Sequence, residues 1–130
     1  MRVCLFVDGG LSSRNVLKEA LSDVVGNITY IAYMSHGNSG GADACIKAFA
    51  LVHEIQSCPF LCGSFEQLAG IGKMFDKCIV VRSQDDLTLE QFATGLAGVF
   101  PLVEVICYNP VVARHWRQRV LSSIPEEEMV

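Results

Sequence analysis

The sequence predicts an α/β fold, a Rossmann-like three-layer sandwich in which a parallel five-stranded sheet lies between two layers of helices. Short apolar runs alternate with amphipathic stretches along the chain, in the order βαβαβαβαβα. Residues Cys78 to Val81 form an unbroken, mostly β-branched run, which is typical of a strand buried on both faces of a parallel sheet. Right-handed crossovers between such strands place helices on both faces.

Each predicted strand is a short apolar run that ends at glycine, proline or a polar turn. These runs cover residues 2–7, 28–34, 59–62, 76–81 and 102–108. Each predicted helix follows such a turn and has apolar residues at helical spacing. The helices cover residues 12–25, 42–56, 65–75, 88–99 and 111–124.

The composition is that of one globular domain. The chain has 130 residues, of which 51% are hydrophobic and 18% charged, enough for a sizeable core. Residues 1–125 are predicted to form the domain, and residues 126–130 an acidic C-terminal tail. The formal net charge of −4 argues against non-specific binding of nucleic acid through overall charge.

A cytoplasmic location without a membrane partner is expected. No apolar run approaches the roughly 20 residues of a membrane helix, and the first residues do not resemble a signal peptide. The six cysteines are expected to be reduced thiols, most of them packed as small apolar groups. Cys58 and Cys62 have a CxxxC spacing, but no suitably spaced second pair accompanies them, so no zinc site is predicted.

Acidic residues follow strands whose carboxyl ends are expected to meet. Asp8 ends the first strand, Asp85 and Asp86 follow the fourth, and Glu66 begins the helix after the third. Ligands bind beyond the carboxyl ends of strands in open α/β sheets, so these acids share a cleft if strands one and four are neighbours. Clustered carboxylates suit Mg²⁺ or Mn²⁺. A metal so held could activate water to hydrolyse a phosphodiester.

Each acid also has a purely structural interpretation. Acids at strand ends commonly cap the next helix or stabilise its dipole, and Asp85, Asp86 and Glu66 fit that role. Asp43 is a second candidate for the acid at a helix start, ranked below Glu66 because its strand is taken to be an outer one. The glycine-rich turn 37–41 could cradle an anion, although it matches neither GxGxxG nor a Walker A loop.

Three segments together resemble the PIN-like NYN nuclease family: VCLFVDGG, CIVVRSQDD and PLVEVICYN. The resemblance spans most of the chain and implies a metal-dependent ribonuclease with Mg²⁺ or Mn²⁺ as cofactor and single-stranded RNA as partner. Asp8 matches the family's first-strand acid, and Ser83 and Asp85 match its Ser-x-Asp pattern. Glu66 stands where the family places an acid at a helix start. The resemblance thus implies Asp8, Glu66 and Asp85 as metal ligands.

Some positions depart from the family pattern. Leu11 and Cys62 stand where an asparagine and a lysine are common, and the family's second aspartate would fall on Leu87. Either Asp86 substitutes for that aspartate as a catalytic acid, or the site is inactive. A non-catalytic α/β module that binds a small anion or a protein partner therefore remains the alternative, and a homodimer is left open.

The last predicted helix carries the basic cluster of the sequence: Arg114, His115, Trp116, Arg117 and Arg119. Arginine beside an aromatic ring is suited to contact phosphates and to stack on an unpaired base. Arg114 and Arg117 are therefore predicted to bind substrate, and the resemblance to the Ser-x-Asp pattern adds Ser83 as a third substrate-binding residue. The alternative is an amphipathic helix with a solvated polar face.

A fainter resemblance is to Clp-type proteases, in which a strand, a Gly-Gly pair, a helix and a serine-bearing glycine segment recur. Gln67 stands near the place of the nucleophile here, and no suitable histidine follows it. An inactive Clp-like remnant is accordingly the lesser alternative.

Overall fold

The structure, a computed structural model, describes residues 1–11, 14–35, 41–61, 65–84, 87–108 and 117–122. Within these ranges the chain forms six strands and four α-helices. The strands are β1 (Arg2–Val7), β2 (Tyr30–Met34), β3 (Gln56–Phe60), β4 (Lys77–Ser83), β5 (Leu102–Tyr108) and β6 (Arg117–Ser122). The helices are α1 (Arg14–Ala20), α2 (Ala42–Val52), α3 (Phe65–Ala69) and α4 (Leu87–Leu96).

The six strands form one sheet in the order β3-β2-β1-β4-β5-β6. Strands β1 to β5 are parallel, which confirms the predicted α/β class and its parallel sheet. β1 lies beside β4, with Phe6 opposite Val80. The chain therefore builds the sheet outwards in one direction through β2 and in the other through β4. The topological switch point, at which this direction reverses, therefore lies between β1 and β4. The two strands are neighbours, which was the condition for Asp8 and the acids after β4 to share a cleft.

Helices supply side chains to both faces of the sheet. Alternate residues of β1 belong to different cores: Val3, Leu5 and Val7 to the first, Cys4 and Phe6 to the second. The first core also contains residues of α1 and α2, and the second contains residues of α3 and α4. The middle of β4 is buried on both faces, as its unbroken apolar run predicted.

The C-terminal part of the prediction is wrong. Residues 117–122, expected in a helix, form β6, which runs antiparallel to β5 and makes the sheet six-stranded. The outer edge of β5 offers backbone donors and acceptors, and pairing with that edge outweighs the local helical preference of this segment. The rest of the predicted helix, residues 111–116 and 123–124, lies outside the described residues, as does the predicted tail.

Several element boundaries also differ. The first two helices end earlier than predicted, at Ala20 and Val52, and α3 spans only Phe65–Ala69. The third strand starts at Gln56 rather than Pro59, because the whole segment pairs with β2. β3 is an edge strand, where a proline is tolerated because its missing N–H need not bond to a neighbour.

The five cysteines in the described part of the chain are free thiols, as predicted, while Cys62 lies outside it. Cys4 and Cys78 lie side by side on β1 and β4 and are buried. Burial raises the pKa of the Cys78 thiol well above its usual range, so this group remains a neutral part of the core. None of the helices that the structure describes has the length and apolar character needed to cross a lipid bilayer.

Substitution of Val80 should test the central position of β4. Val80 is 0% exposed, so Val80→Asp would place an unpaired carboxylate in the second core and lower the free energy of unfolding by about 4 kcal/mol or more. Val52, at the end of α2, is 69% exposed and provides the control. Val52→Asp should change stability by less than about 1 kcal/mol in urea unfolding. Equal effects of the two substitutions would contradict the assignment of β4.

Candidate functional site

Asp8 lies directly after β1 and is almost fully buried, at 5% exposure. Its backbone N–H donates to the carbonyl of Val81 at 3.1 Å, which keeps it in register with β4. Its Oδ1 accepts the N–H of Gly10 at 3.1 Å. Its Oδ2 accepts the N–H of Ser83 at 3.0 Å and the hydroxyl of Tyr108 at 2.7 Å. The carboxylate thus joins the ends of β1, β4 and β5.

These three hydrogen bonds differ in what they do. The bond from Gly10 is local and closes an Asx-type turn directly after β1. The bonds from Ser83 and Tyr108 come from segments 75 and 100 residues away in sequence. All three donors are neutral, and among the described residues no cationic side chain pairs with Asp8.

Asp43 is a second buried acid at the same end of the sheet. It is 6% exposed, lies in the first turn of α2, and accepts the Ser35 hydroxyl at 2.6 Å. Ser35 follows β2 directly, so the carboxylate of Asp43 is held at the carboxyl end of that strand. Since β2 is the neighbour of β1, the two buried acids follow adjacent strands.

The start of α2 lies against the turn that follows Asp8. Gly41, the residue before α2, has φ of 65°, a conformation that favours glycine. A Cβ at Gly41 would lie 3.7 Å from the carbonyl oxygen of Leu11 and 3.8 Å from that of Gly9. The first turn of α2, with Asp43, is therefore close to the segment that begins at Asp8.

Tyr33 lies in the first core and is 0% exposed. Its hydroxyl has no hydrogen-bond partner within the part of the chain that the structure describes. Burial raises the pKa of Tyr33 above its usual value, and the negative charge of Asp43 adds to this rise. The side chain is therefore held in its neutral form.

The third buried acid of the described chain has a different environment. Glu104, on β5, forms an ion pair with Lys77 at the start of β4. This pair lies towards the amino ends of these strands, away from Asp8 and Asp43. Its charge is compensated within the fold, so it is better explained by structure than by a ligand site.

The sequence ranked Glu66 above Asp43 on a premise that the sheet order shows to be wrong. β3, which precedes Glu66, is the outer strand, whereas β2, which precedes Asp43, is an inner one. Glu66 is exposed at the start of α3, and the structure describes no contact between it and Asp8. A signal for Asp43 was present in the sequence, since it shares a helical face with Ile46 and Ala50, which are buried.

Of the remaining predicted site residues, two lie within the described part of the chain and three lie outside it. Ser83 contacts Asp8 through its backbone N–H. Arg117 is the first residue of β6 and lies opposite Cys107, at the carboxyl end of β5. Asp85, Asp86 and Arg114 lie outside the described residues. Tyr108, which no sequence motif indicated, is the side chain that donates to Asp8.

Among the described residues, no group of three or more histidine, cysteine, aspartate or glutamate side chains is placed to hold a metal ion. Of the three ligands implied by the resemblance, Asp8 and Glu66 lie within that part of the chain and Asp85 lies outside it. Comparison with models of known protein families, with curated proteins and with solved structures gives no match.

The role of Asp8 in tying the strands together can be measured by Asp8→Asn. An amide nitrogen cannot accept a hydrogen bond, so at least one donor would lose its acceptor, and the free energy of unfolding should fall by about 1–3 kcal/mol. Asp23 is exposed, and Asp23→Asn should stay within about 0.5 kcal/mol of the parent. A fully stable Asp8→Asn variant would show that these bonds contribute little.

The raised pKa of Tyr33 predicts a stability change at alkaline pH. The unfolded chain releases the tyrosine proton near pH 10, whereas the folded chain retains it, so the parent loses stability as pH rises above about 10. Tyr33→Phe should be close to neutral at pH 7, because the hydroxyl has no described partner. Above pH 10 the variant should gain up to about 1.4 kcal/mol per pH unit relative to the parent. A difference that stays constant from pH 7 to 11 would contradict this.

Proposed function

We propose that this chain is a metal-dependent phosphodiesterase of the PIN-like NYN type that hydrolyses single-stranded RNA at the carboxyl ends of β1, β2 and β4. One observation carries the proposal: two buried carboxylates, Asp8 and Asp43, follow adjacent parallel strands next to the switch point. Removing a carboxylate from water is costly. Two such groups at the end of the sheet where ligands bind are more readily explained by function than by stability.

The donor chemistry of this end of the sheet fits a small divalent cation. Mg²⁺ needs only one or two protein carboxylates and keeps several waters. Oδ1 of Asp8 accepts one hydrogen bond from the described chain, although a carboxylate oxygen has two lone pairs. Gly10 leaves space beside the same oxygen, since a Cβ there would lie 3.3 Å from it. Asp8 and Asp43 would hold the ion, with Asp85 or Asp86 as the third carboxylate that the sequence supplies.

The residues of the chain orient these acids. Ser83 and Tyr108 fix the plane of the Asp8 carboxylate, and Ser35 fixes the Asp43 carboxylate. A divalent ion, when bound, supplies an activated water and stabilises negative charge on a phosphoryl oxygen. In this proposal Arg117, whose backbone lies opposite Cys107 at the carboxyl end of β5, would contact an RNA phosphate.

A second candidate function is the non-catalytic module that binds a small anion or a protein partner. The observation that favours it is the set of neutral donors around Asp8, which gives this acid a structural role without any ion. In that case Asp43 is a residue of the first turn of α2 that favours the helix dipole. The two candidates differ in whether the acids bind a cation.

Asp43→Asn is the decisive substitution, with Glu66→Gln as its matched control. The Ser35 hydroxyl can donate or accept, so an asparagine at position 43 can keep a hydrogen bond while the negative charge is lost. Cleavage of single-stranded RNA with Mn²⁺ should fall by about 100-fold or more, since losing even an outer partner of a metal ligand costs about 10–100-fold in affinity. The gain in melting temperature with Mn²⁺ should fall with it. Glu66 is exposed after an outer strand, so Glu66→Gln should change neither measurement.

The outcomes separate the two functions. If Glu66→Gln abolishes cleavage while Asp43→Asn does not, the assignment of Asp43 is wrong, although a nuclease remains. If the parent neither cleaves RNA nor gains stability with Mg²⁺ or Mn²⁺, the non-catalytic module is the better description.

A further inference from the structure

The two oxygens of the Asp8 carboxylate accept different numbers of hydrogen bonds, one at Oδ1 and two at Oδ2. We infer that the hydrogen bond from Tyr108 makes the site select small octahedral cations over Ca²⁺. Tyr108 acts as a positioning residue: it holds Oδ2 of Asp8, so that Oδ1 alone can face an ion. The inference rests on the proposed function, because it concerns the cation bound at the same acids.

The number of unused lone pairs on each oxygen of Asp8 decides which oxygen an ion can reach. Each carboxylate oxygen offers about two acceptor positions. Both positions of Oδ2 are used, by the Ser83 N–H at 3.0 Å and the Tyr108 hydroxyl at 2.7 Å. Oδ1 receives the Gly10 N–H alone within the described chain, and the missing side chain of Gly10 leaves room beside it. An ion can therefore reach one oxygen of Asp8 without displacing a donor from the fold.

The position of Tyr108 is set by the sheet and not by a loop. Tyr108 is the last residue of β5, lies opposite Ser83 of β4, and accepts the N–H of Gln84 at its carbonyl, at 2.9 Å. Its side chain is 3% exposed in the first core. Because the ring is packed in the core and the backbone is paired with β4, the position of the Tyr108 hydroxyl is fixed. Of the three donors to Asp8, this hydroxyl is the one that a substitution can remove without changing the backbone.

Mg²⁺ and Ca²⁺ differ in how many oxygens they bind and at what distance, and this difference decides which ion suits a single available oxygen. Mg²⁺ requires six oxygens at about 2.0–2.1 Å in near-octahedral geometry, and each carboxylate oxygen occupies one vertex. Ca²⁺ takes about 6–8 oxygens at longer distances and commonly binds a carboxylate through both oxygens. An aspartate with one available oxygen can coordinate Mg²⁺ or Mn²⁺ through that oxygen, but it cannot bind Ca²⁺ through both oxygens. Removing the Tyr108 hydroxyl would release Oδ2 in part and reduce this discrimination.

The test compares Tyr108→Phe with Tyr33→Phe in the full chain. Each variant removes one hydroxyl from a buried tyrosine, but the Tyr33 hydroxyl donates to no described residue. The dissociation constants of Mg²⁺, Mn²⁺ and Ca²⁺ are measured by isothermal titration calorimetry. In Tyr108→Phe, the ratio of the Ca²⁺ constant to the Mg²⁺ constant should fall by about 10-fold, the lower end of the effects of outer-shell substitutions. In Tyr33→Phe the ratio should stay at the parent value.

Gly10→Ala tests the metal-facing oxygen independently, in case Tyr108→Phe does not fold. The added methyl would crowd Oδ1 and should weaken Mg²⁺ and Mn²⁺ binding about 10-fold. Gly26→Ala is the control, because a Cβ at Gly26 meets nothing within 4 Å. Unchanged Mg²⁺ affinity in Gly10→Ala would show that Oδ1 does not face the ion and would overturn the inference.

The remaining outcomes distinguish this inference from the proposed function. If the parent binds Mg²⁺ and Tyr108→Phe weakens all three ions equally, Tyr108 has a structural role only, and the inference fails while the proposed function stands. If the parent binds none of the three ions, the proposed function fails and the inference fails with it. A reduced Ca²⁺-to-Mg²⁺ ratio in Tyr108→Phe alone supports the inference.

Discussion

The buried carboxylate of Asp8 is the interaction on which the carboxyl end of the sheet depends. It follows β1, the strand that the chain builds upon in both directions, and accepts donors from β4 and β5. Parallel strands are joined by long crossovers, so no tight turn fixes the relative positions of their ends. A side chain that bonds across two neighbours can fix those positions, and a charged acceptor does so more strongly than a neutral one.

The same carboxylate links stability to the proposed chemistry. Asp8 and Asp43 are both buried, and α2 begins close to the turn after β1. Removing a carboxylate from water costs free energy, and the hydrogen bonds that Asp8 and Asp43 accept from neutral groups offset part of that cost. A bound cation, as proposed above, would offset more of this cost, and buried charge of this kind is commonly retained where it serves a site.

The parts of the fold that the sequence predicted correctly are those set by local patterns. The apolar runs of β1 and β4 are continuous, that of β5 is interrupted only by Glu104, and the position of Asp8 at a strand end follows from the run of β1. Strand order is not local, and the choice between Asp43 and Glu66 depended on it. The bond from Tyr108 to Asp8 joins residues 100 positions apart, and β6 is stabilised by an edge that exists only after β5 has folded.

The strand conformation of residues 117–122 changes which residues lie at the carboxyl end of the sheet. As a helix, the basic segment would have crossed a face of the sheet, whereas as β6 it brings Arg117 beside the carboxyl end of β5. Across this end of the sheet the order is then Asp43, Asp8, Ser83, Tyr108 and Arg117. Strands lie about 4.8 Å apart, so β6 is about 14 Å from β1. Under the proposed function, a polyanionic strand that crosses this end of the sheet would extend from the acids after β1 and β2 to the start of β6. A compact anion would not span that distance, so the proposed RNA substrate and the alternative small anion differ in whether they would reach β6.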